Sequence, residues 1–523
     1  MKSINTKFIL IAPLTGGILL LTSPGIGFAS LAWFALVPLL ALIRSPRITA
    51  GKACVVGFAT GMIYFTFLLS WITIVLGHYG HLPLWITIPA LIALASYMSL
   101  YPAIFSYLTA RTRDTVPLFW FAPLLWVGLD ALRNRAFSGF PWMDLAYTQY
   151  SHPFLIQVAD LAGHHGVTFL IVMVNCLIIE FSYGMNGRKR TQRPWPLIAA
   201  VALVLLAMVY SPWRYREINN QLAKNPTMSV GIIQGNIAQG QKWRPEIQLE
   251  TLDKYLSLSR RQLAASPETD LLIWPETALP FYLQTSSLTK FIRVLTEAHP
   301  DLAVLTGAPR HALDPSGTEI RYYNSAFLID DQGLINDRYD KRHLVPFGEY
   351  IPMKPLLPFL GPLVESVGDF TPGTSHLPII HNTTPIGVLI CFESIFPELA
   401  RTQSEAGAKL LVNLTNDAWF GLSGAPWQHL SMAVFRAVEN RRGLARAANT
   451  GISGFIDPLG NLSQLSPLFA DFSATSTLPV MAEKTFFTFL GGHYFGFICL
   501  CLATIICVYD GYLRKKRIII IHA

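Results

Sequence analysis

The segment GVLICFESIF, residues 387–396, places a cysteine at the end of an apolar run and a glutamate two positions later. A short apolar run of this kind, bounded by polar residues, predicts a buried strand that ends at Cys391. Ser394 is a favoured helix cap and Pro397 a favoured first-turn residue, so we expect a helix to begin there. A thiol beside helix N–H groups would have a lowered pKa and a ready site for an oxyanion. A cysteine that only packs in the core is the alternative, and the segment alone leaves both open.

Similar apolar runs follow one another through the middle of the chain, and each ends in a polar cluster. Strands are predicted at residues 228–237, 270–278, 303–310, 322–330, 385–394, 408–421 and 451–460. Between them, apolar residues at three-to-four spacing predict helices over 249–265 and 430–449. Strands that alternate with helices indicate an α/β layered domain.

The chain as a whole is too apolar for a soluble protein. Of its 523 residues, 52% are hydrophobic and 14% are charged, whereas a soluble chain carries about 25% charged residues. A helix needs about 20 apolar residues to cross a bilayer. Such segments lie at residues 8–23, 25–43, 53–76, 84–109, 116–132, 166–184, 195–211 and 486–510. The sequence therefore predicts a membrane domain over 1–215, an α/β domain over 216–485, and a last span with a basic tail over 486–523.

Basic residues in the loops between these segments predict the orientation. Lys and Arg cluster at residues 44–52, 111–113, 187–193 and 514–517. Cytoplasmic loops carry such an excess, so these loops and both termini are expected in the cytoplasm and the α/β domain on the opposite face. Arg133 and Arg135 are the exception, because this topology places them outside. The net charge of +8 follows from the topology, and no basic stripe indicates a nucleic-acid partner.

Cysteine usage separates Cys391 from the other five cysteines of the chain. Those five, at positions 54, 176, 499, 501 and 507, lie in predicted spans, where cysteine behaves as a small apolar residue. Cys391 is the single cysteine between residues 216 and 485, so it has no disulfide partner in its own domain. Structural cysteines outside the cytoplasm usually occur in pairs, which favours a reactive thiol.

Two further segments offer groups that could activate a thiol. WPETALP places Glu276 at the end of an apolar strand, where partial desolvation favours a general base. YDKRHLVPFGEY offers Lys341, whose charge could stabilise a thiolate and an oxyanion, and His343, which would allow a Cys–His pair. A solvated loop is the alternative for each segment. The histidines show no metal-ligand spacing, so neither a metal nor a cofactor is expected.

The order of these residues and several longer motifs resemble one enzyme family. Glu276 in WPET, Lys341 in YDKRHLVPFGE and Cys391 in ICFE resemble the Glu–Lys–Cys arrangement of the nitrilase, or carbon–nitrogen hydrolase, superfamily. The wider match is to its apolipoprotein N-acyltransferase members in diderm bacteria. It rests on QGNIAQGQKW, LTNDAWFG, RAVENRRGLARAANTGISGFIDPLG and SGFPWMDLAY, which together extend over nearly the full length of the chain.

The resemblance implies a polytopic α-helical membrane bundle of about eight spans plus an α/β nitrilase-like αββα sandwich in the periplasm. Cys391 would be the nucleophile that takes an acyl chain from the sn-1 ester of a phospholipid, such as phosphatidylethanolamine, as a thioester. Glu276 would be the general base and Lys341 would stabilise the oxyanion. The acyl chain would then pass to the α-amine of a diacylglyceryl-cysteine apolipoprotein. No cofactor is implied, and because one chain holds all three residues we expect a monomer in the inner membrane.

Five further positions follow from the same resemblance. Glu349 and Glu393 match supporting acidic positions around the three residues, and Trp243 matches an aromatic position near the lipid-binding cavity. Phe392 departs from the family, where a tyrosine is expected after the nucleophile, so its part in substrate binding is open. Trp419 is expected to line the acyl pocket, with core packing as the alternative.

Two other functions stay open at this stage. A membrane-tethered amidase of the nitrilase type would use the same three residues but has no need for eight spans. A transporter or scaffold would need no reactive cysteine, and the predicted spans lack the carboxylate relay of a pump. An acyltransferase must also shield its thioester from water. The Pro-rich apolar segment 352–368 is a candidate shield, and an ordinary buried loop is the alternative.

Overall fold

The chain forms two compact units. The computed structural model describes residues 10–185, 194–240, 242–299, 301–314, 316–351 and 369–522. The helical unit comprises Met1–Tyr215 with Leu490–Ala523, and the α/β unit comprises Arg216–Phe489. The basic loop 187–193 and the apolar segment 352–368 lie outside the described residues, so the possible shield has no structural account.

Twelve helices of eight or more residues are found in the described part of the chain. They are α1 Ile11–Leu21, α2 Val37–Arg44, α3 Ala50–Leu68, α4 Leu84–Thr112, α5 Leu118–Arg133, α6 Ala159–Met185, α7 Trp195–Leu222, α8 Gln248–Ala265, α9 Thr289–Glu297, α10 Pro397–Glu405, α11 Ala425–Asn440 and α12 Tyr494–His522. Shorter helical turns lie at Ala29–Trp33, Ile72–Ile74, Val75–Tyr79, Leu145–Gln149, Pro153–Ile156, Pro245–Ile247, Cys391–Ile395, Asp417–Phe420 and Phe486–Leu490.

The helical unit carries the apolar segments predicted from composition. Among the described residues, five helices are long and apolar enough to cross a membrane, namely α3, α4, α6, α7 and α12. Two shorter apolar helices, Ile11–Leu21 and Ala29–Arg44, coincide with the first two predicted spans. Each remaining predicted span overlaps a helix, which confirms a helical membrane region beside an α/β domain.

Two glycines set helix boundaries that the hydropathy pattern does not show. Gly163 interrupts α6 with a φ of 64°, so the apolar helix proper begins after it. Gly491 has a φ of 102° and separates the short helix Phe486–Leu490 from α12. The last apolar helix therefore begins at Tyr494, whereas the sequence pattern places its start at residue 486.

The α/β unit is built on two six-stranded sheets. The strands are β1 Thr227–Gln234, β2 Leu271–Ile273, β3 Ala303–Leu313, β4 Ile320–Ile329, β5 Ile335–Asp340, β6 Ile379–His381, β7 Thr384–Ile390, β8 Leu410–Thr415, β9 Gly443–Ala448, β10 Gly454–Ile456, β11 Leu462–Ser463 and β12 Phe472–Pro479. The first sheet has the order β12-β1-β2-β3-β4-β5 and the second the order β11-β10-β9-β8-β7-β6. Parallel pairs, β1 with β2 and β3 in one sheet and β7, β8 and β9 in the other, form the two sheet centres.

Alternating side chains divide the strands of the first sheet between two cores. Val230, Ile232 and Ile273 belong to the cluster that fills the space between the sheets. Ile233 and Trp274 point to the other face, where they pack with residues of α8 and α9. Helices α10 and α11 pack beside the second sheet. The unit is therefore an αββα sandwich, as predicted.

The helix predicted over 430–449 is wrong in its second half. Helix α11 ends at Asn440, where Arg441 adopts a left-handed conformation with a φ of 53°. The next residues form β9, which pairs with β8 and β10 in the middle of the second sheet. All of β9 is buried. Its sequence therefore shows no alternation of apolar and polar residues, which is the pattern that would distinguish a strand from a helix.

Candidate active site

Cys391 occupies a sharp turn at the end of β7. Its φ is 52°, an unusual backbone conformation for a residue other than glycine. Two side chains contact the main chain of this turn. The Ser394 hydroxyl donates to the Cys391 carbonyl oxygen at 3.1 Å, and His429 Nε2 lies 3.1 Å from the same oxygen. The predicted strand that ends at the cysteine is confirmed. The predicted capping role of Ser394 is wrong, since helix α10 has Phe396 at its N-cap and no side-chain cap.

The thiol of Cys391 is held in its neutral form. Burial raises its pKa, the Glu276 carboxylate adds to the rise, and the Lys341 ammonium acts in the opposite direction. The lowered pKa expected from helix N–H groups is therefore wrong for the resting site. A neutral buried thiol needs a base to become a nucleophile, and among the carboxylates that act on this thiol Glu276 has the largest effect.

Glu276 lies in a strained turn after β2, and its side chain is 8% exposed. The next residue, Thr277, has a φ of 46°. Gly307 of β3 supports this turn, because its N–H donates to the Pro275 carbonyl at 3.2 Å. A Cβ at Gly307 would lie 2.4 Å from the Thr277 nitrogen and 2.7 Å from Glu276 Cα. The close approach of β3 therefore requires glycine at this position.

Lys341 follows β5 and is 1% exposed. Its Nζ lies 2.9 Å from Glu349 Oε2 and 3.5 Å from Glu276 Oε1. Burial by itself would lower the pKa of Lys341, but the carboxylates of Glu349 and Glu276 outweigh it and hold that pKa above its ordinary value. The lysine is therefore a permanent positive charge beside the thiol and the base.

Asn324 of β4 connects the two carboxylates, and sequence reasoning missed it. Its side-chain amide donates to Glu276 Oε1 and to Glu349 Oε1, each at 2.8 Å. Its main-chain carbonyl accepts from the Lys341 N–H at 2.8 Å. The single signal in the sequence was a polar residue inside the apolar run YYNSAFLID.

Glu393 is fully buried and links the cysteine turn to the lysine loop. Its Oε2 accepts from the Ile390 N–H at 2.8 Å, at the end of β7. Its Oε1 accepts from the main-chain N–H groups of Arg342 at 2.7 Å and His343 at 3.1 Å. The supporting glutamates predicted from the sequence, Glu349 and Glu393, thus both lie against the Glu–Lys–Cys group.

Comparison with known proteins finds similarity over most of the chain. Residues 15–177 match the family model of the apolipoprotein N-acyltransferase N-terminal domain, and residues 229–475 match that of the carbon–nitrogen hydrolases. A relative from Geobacter metallireducens named apolipoprotein N-acyltransferase is 42% identical over 499 residues, which cover 95% of this chain and 94% of that protein. The chain belongs to the apolipoprotein N-acyltransferase family.

A second member of the apolipoprotein N-acyltransferase family, from Methylococcus capsulatus, is 32% identical over 94% of this chain and 95% of its own length. Among solved structures, Saccharomyces cerevisiae Nit3, described as a member of branch 10 of the nitrilase superfamily, is similar to 48% of this chain. That match covers 90% of Nit3 with 19% identity and a TM-score of 0.38.

In this family member a second lysine, Lys242, lies at the site, and the sequence analysis did not single it out. Lys242 is fully buried, and its Nζ donates to the main-chain carbonyl of Glu276 at 3.2 Å. Burial lowers its pKa to about 8, and the charges of Glu276 and Cys391 act in the opposite direction. Its neighbour Trp243, predicted to contact lipid, is 47% exposed.

The predicted aromatic residues and His343 have different surroundings. The Phe392 ring is buried in an edge contact with Phe396 at 5.2 Å between centroids. The His343 ring packs on Phe396 at 3.8 Å, and its Nε2 has no hydrogen-bond partner among the described residues. Burial, followed by the charge of Lys341, lowers the pKa of His343 to about 4. These contacts give no support to a Cys–His pair. Trp419 lies half-buried in the turn after β8.

A buried ion network supports the cysteine turn from the side of β8 and β9. Asp417 Oδ2 lies 2.7 Å from the Arg446 guanidinium, and Asp417 Oδ1 lies 2.9 Å from His429 Nδ1. Although burial acts in the opposite direction, Arg446 and His429 hold the pKa of Asp417 below its ordinary value. The network accounts for the buried charges of Asp417 in LTNDAWFG and of Arg446 in RAVENRRGLARAAN.

In the described part of the helical unit, Asp144, His164 and His165 form a buried polar cluster. The possible ligand atoms of these buried residues lie within 4.8 Å of one another, although the sequence spacing indicated no metal ligands. Arg133 pairs with the same Asp144 carboxylate. The guanidinium competes with a cation for that carboxylate, so the cluster is explained as a buried ion pair.

Proposed function

We propose that this chain transfers a fatty acyl group from a phospholipid to the N-terminal α-amine of a diacylglyceryl-cysteine apolipoprotein. The acyl group would be carried as a thioester on Cys391, and the sn-1 chain of phosphatidylethanolamine is the proposed donor. The observation that carries this proposal is the buried Glu276–Lys341–Cys391 group in a chain of the N-acyltransferase family. The chain is proposed to act as a monomer.

In the first half-reaction, Cys391 Sγ attacks the ester carbonyl carbon and its proton passes to the Glu276 carboxylate. The Lys341 ammonium stabilises the tetrahedral oxyanion. The carbon–oxygen ester bond then breaks, and the leaving lysophospholipid alkoxide takes the proton from Glu276. The products are a thioacyl-enzyme and a lysophospholipid.

In the second half-reaction, the neutral α-amine of the apolipoprotein attacks the thioester carbonyl. Glu276 takes a proton from the amine nitrogen, and the carbon–sulfur bond breaks as the amide forms. The departing thiolate recovers that proton from Glu276, which restores the resting site. The raised pKa of the Cys391 thiol supports this scheme, because the thiolate is a good proton acceptor when it leaves.

The phospholipid donor, the lysophospholipid and the acylated lipoprotein all carry long acyl chains. An enzyme that binds them is expected to be a membrane protein, as this chain is. We propose that the α/β unit lies in the periplasm and both termini in the cytoplasm, from the distribution of Lys and Arg. In a background lacking Cys501, an impermeant maleimide added to spheroplasts should label a cysteine at Ser316 in the α/β unit. A cysteine at Arg47 should be labelled only after permeabilisation, and the opposite pattern would reverse the topology.

The central test is intact mass spectrometry of the purified protein after incubation with phosphatidylethanolamine. We expect the mass of one fatty acyl group on Cys391, lost when a diacylated lipopeptide is added. Cys391→Ala should remain unmodified, whereas Cys501→Ala, a change of an exposed cysteine of the helical unit, should behave as the wild type. A small acyl group taken from amides in place of a fatty acyl group would instead favour an amidase.

A further inference from the structure

The charges of the Glu–Lys–Cys group do not balance without Lys242. Glu276 and Glu349 both contact the ammonium of Lys341, so two carboxylates share one positive charge. All three side chains are buried, and a net charge in such a place is costly. Lys242 supplies the second positive charge, because it is fully buried and its electrostatic neighbours are Glu276 and Cys391.

The same balance holds while the proposed reaction proceeds. When Glu276 takes the proton of the thiol, one negative charge moves from the carboxylate to the thiolate and then to the oxyanion. With Lys242 and Lys341 both protonated, the site stays neutral at each stage. With Lys242 uncharged, each stage carries one unbalanced negative charge, and the ionised thiol is less stable.

The hydrogen bond of Lys242 points to a positioning role as well. Its Nζ donates to the main-chain carbonyl of Glu276, within the turn where Thr277 has a positive φ. Among the described residues, this carbonyl is the one acceptor within hydrogen-bond distance of Nζ. An ammonium has three N–H donors, so this carbonyl uses one of the three.

We propose that Lys242 is a positioning residue of the acyl-transfer site, which fixes the Glu276 turn and stabilises the charge that passes from Glu276 to Cys391. The inference rests on the proposed function, since it takes Cys391 as the nucleophile and Glu276 as its base. It assigns a role to the lysine of the QKW motif that the Glu–Lys–Cys arrangement does not include.

The ionisation of Lys242 makes the role measurable. Its pKa of about 8 means that the ammonium loses its proton at a mildly alkaline pH. The charged groups that act on it are Glu276 and Cys391, and Lys341 contacts the carboxylate of Glu276. The pKa of Cys391 is raised and that of Lys341 is raised, so neither group titrates in the same range. The thiolate fraction of a group with a raised pKa increases with pH, so we expect the rise in Cys391 reactivity to become less steep between pH 7 and pH 9 in the wild type.

The test is the pH dependence of Cys391 alkylation by iodoacetamide, followed by peptide mass spectrometry on the full-length protein in detergent. Lys242→Met should slow alkylation at pH 7 by about tenfold, the equivalent of one pKa unit, and should remove the inflection near pH 8. Lys242→Arg keeps its charge at every pH of the assay, so it should also lack the inflection. Lys254→Met, a change of a half-exposed lysine paired with Asp471, should match the wild type.

Two results would overturn the role of Lys242. One is a wild-type pH profile of Cys391 alkylation without an inflection between pH 7 and pH 9, and the other is an inflection that persists in Lys242→Arg. If Lys242→Met does not fold, the wild type and Lys242→Arg still give the answer. A merely structural lysine would lower the melting temperature without changing the profile. The assay contains no phospholipid, so failure of fatty acylation would count against the proposed function alone.

Discussion

Glu393 Oε1 accepts a hydrogen bond from the main-chain N–H of Arg342 at 2.7 Å. The residue two positions after the cysteine therefore fixes the residue directly after Lys341. Because Glu393 Oε2 also accepts from Ile390 at the end of β7, one buried carboxylate links the Cys391 turn to the loop that follows Lys341. Two loops from different sheets meet through this side chain.

Glu393→Ala should disrupt both loops. The main-chain donors that Glu393 satisfies would be left buried without acceptors, at a cost of about 1–3 kcal/mol each. The melting temperature should fall, and formation of the thioacyl-enzyme should slow by roughly 10²-fold, as expected for a displacement of about 1 Å. Intact mass spectrometry over time measures the rate.

Glu398→Gln is the matched control for that experiment. Glu398 is also near the cysteine in sequence, but it forms a partly exposed ion pair with Arg401. Its loss should change the rate by less than twofold, since exposed ion pairs contribute about 0–1 kcal/mol. Equal effects of the two substitutions would show that Glu393 has no special part in positioning Lys341.

Asn324→Asp should slow acylation in a manner that depends on pH. The substitution places a third carboxyl group against Glu276 and Glu349, where like charges disfavour its ionisation. At low pH the new group is neutral and can still donate one hydrogen bond, whereas at higher pH its charge disturbs both neighbours. We expect a loss of roughly 10-fold at pH 6 and roughly 10²-fold at pH 8.

A pH series of single-turnover acylation rates measures this effect. Asn382→Asp serves as the control, because Asn382 lies in an exposed turn with a φ of 52°, a conformation that aspartate tolerates. If Asn324→Asp lost the same factor at both pH values, charge would not be the cause and the bridging role would be wrong.

Gly307→Ala should displace Glu276, the proposed general base. The added Cβ would lie 2.4 Å from the Thr277 nitrogen and 2.7 Å from Glu276 Cα, both main-chain atoms that cannot rotate away. We expect thioacyl formation to slow by roughly 10²-fold. Gly240→Ala, where the new methyl group meets open space, should leave the rate unchanged, and a normal rate in Gly307→Ala would show that the turn can shift freely.

The sequence predicted the sheet centres better than the sheet edges. β1 to β4, β7, β8 and β10 all overlap predicted strands, because buried strands read as continuous apolar runs. The edge strands β5, β6, β11 and β12 were not predicted. Their sequences, such as INDRYD and FSATSTLP, are largely polar because one side of each edge strand lacks a partner strand.

The sequence predicted those site residues whose side chains are reactive or charged in an unusual setting. A lone cysteine, a glutamate in an apolar setting and a lysine in a charged loop were each visible, but their meeting depended on the family resemblance. Three other site residues could not be found in this way. Asn324 and Lys242 form hydrogen bonds to segments that are distant in sequence, and Gly307 allows two main-chain segments to approach closely. The direction of the Cys391 pKa shift was also predicted wrongly. Burial of the thiol raises its pKa, and this effect outweighs the lowering expected from nearby main-chain N–H groups.

Asp417→Asn should destabilise the α/β unit in a pH-dependent manner. Asp417 pairs with Arg446 and His429 in the core, and its pKa is below the ordinary value. Removing one partner of a buried pair costs about 3–5 kcal/mol. A depressed carboxylate pKa contributes stability that is complete above about pH 4, the unfolded value, and declines as the pH falls toward the folded value.

The difference in melting temperature between the wild type and Asp417→Asn should therefore be constant from pH 5 to pH 8. It should shrink below about pH 4, where the wild type itself begins to lose the charge of Asp417. Asp471→Asn, which breaks an exposed pair with Lys254, should show a small difference at every pH. If the difference in melting temperature instead increased as the pH fell, the Asp417 carboxylate would not be stabilised by Arg446 and His429. The ion network beside the cysteine turn would then need another explanation.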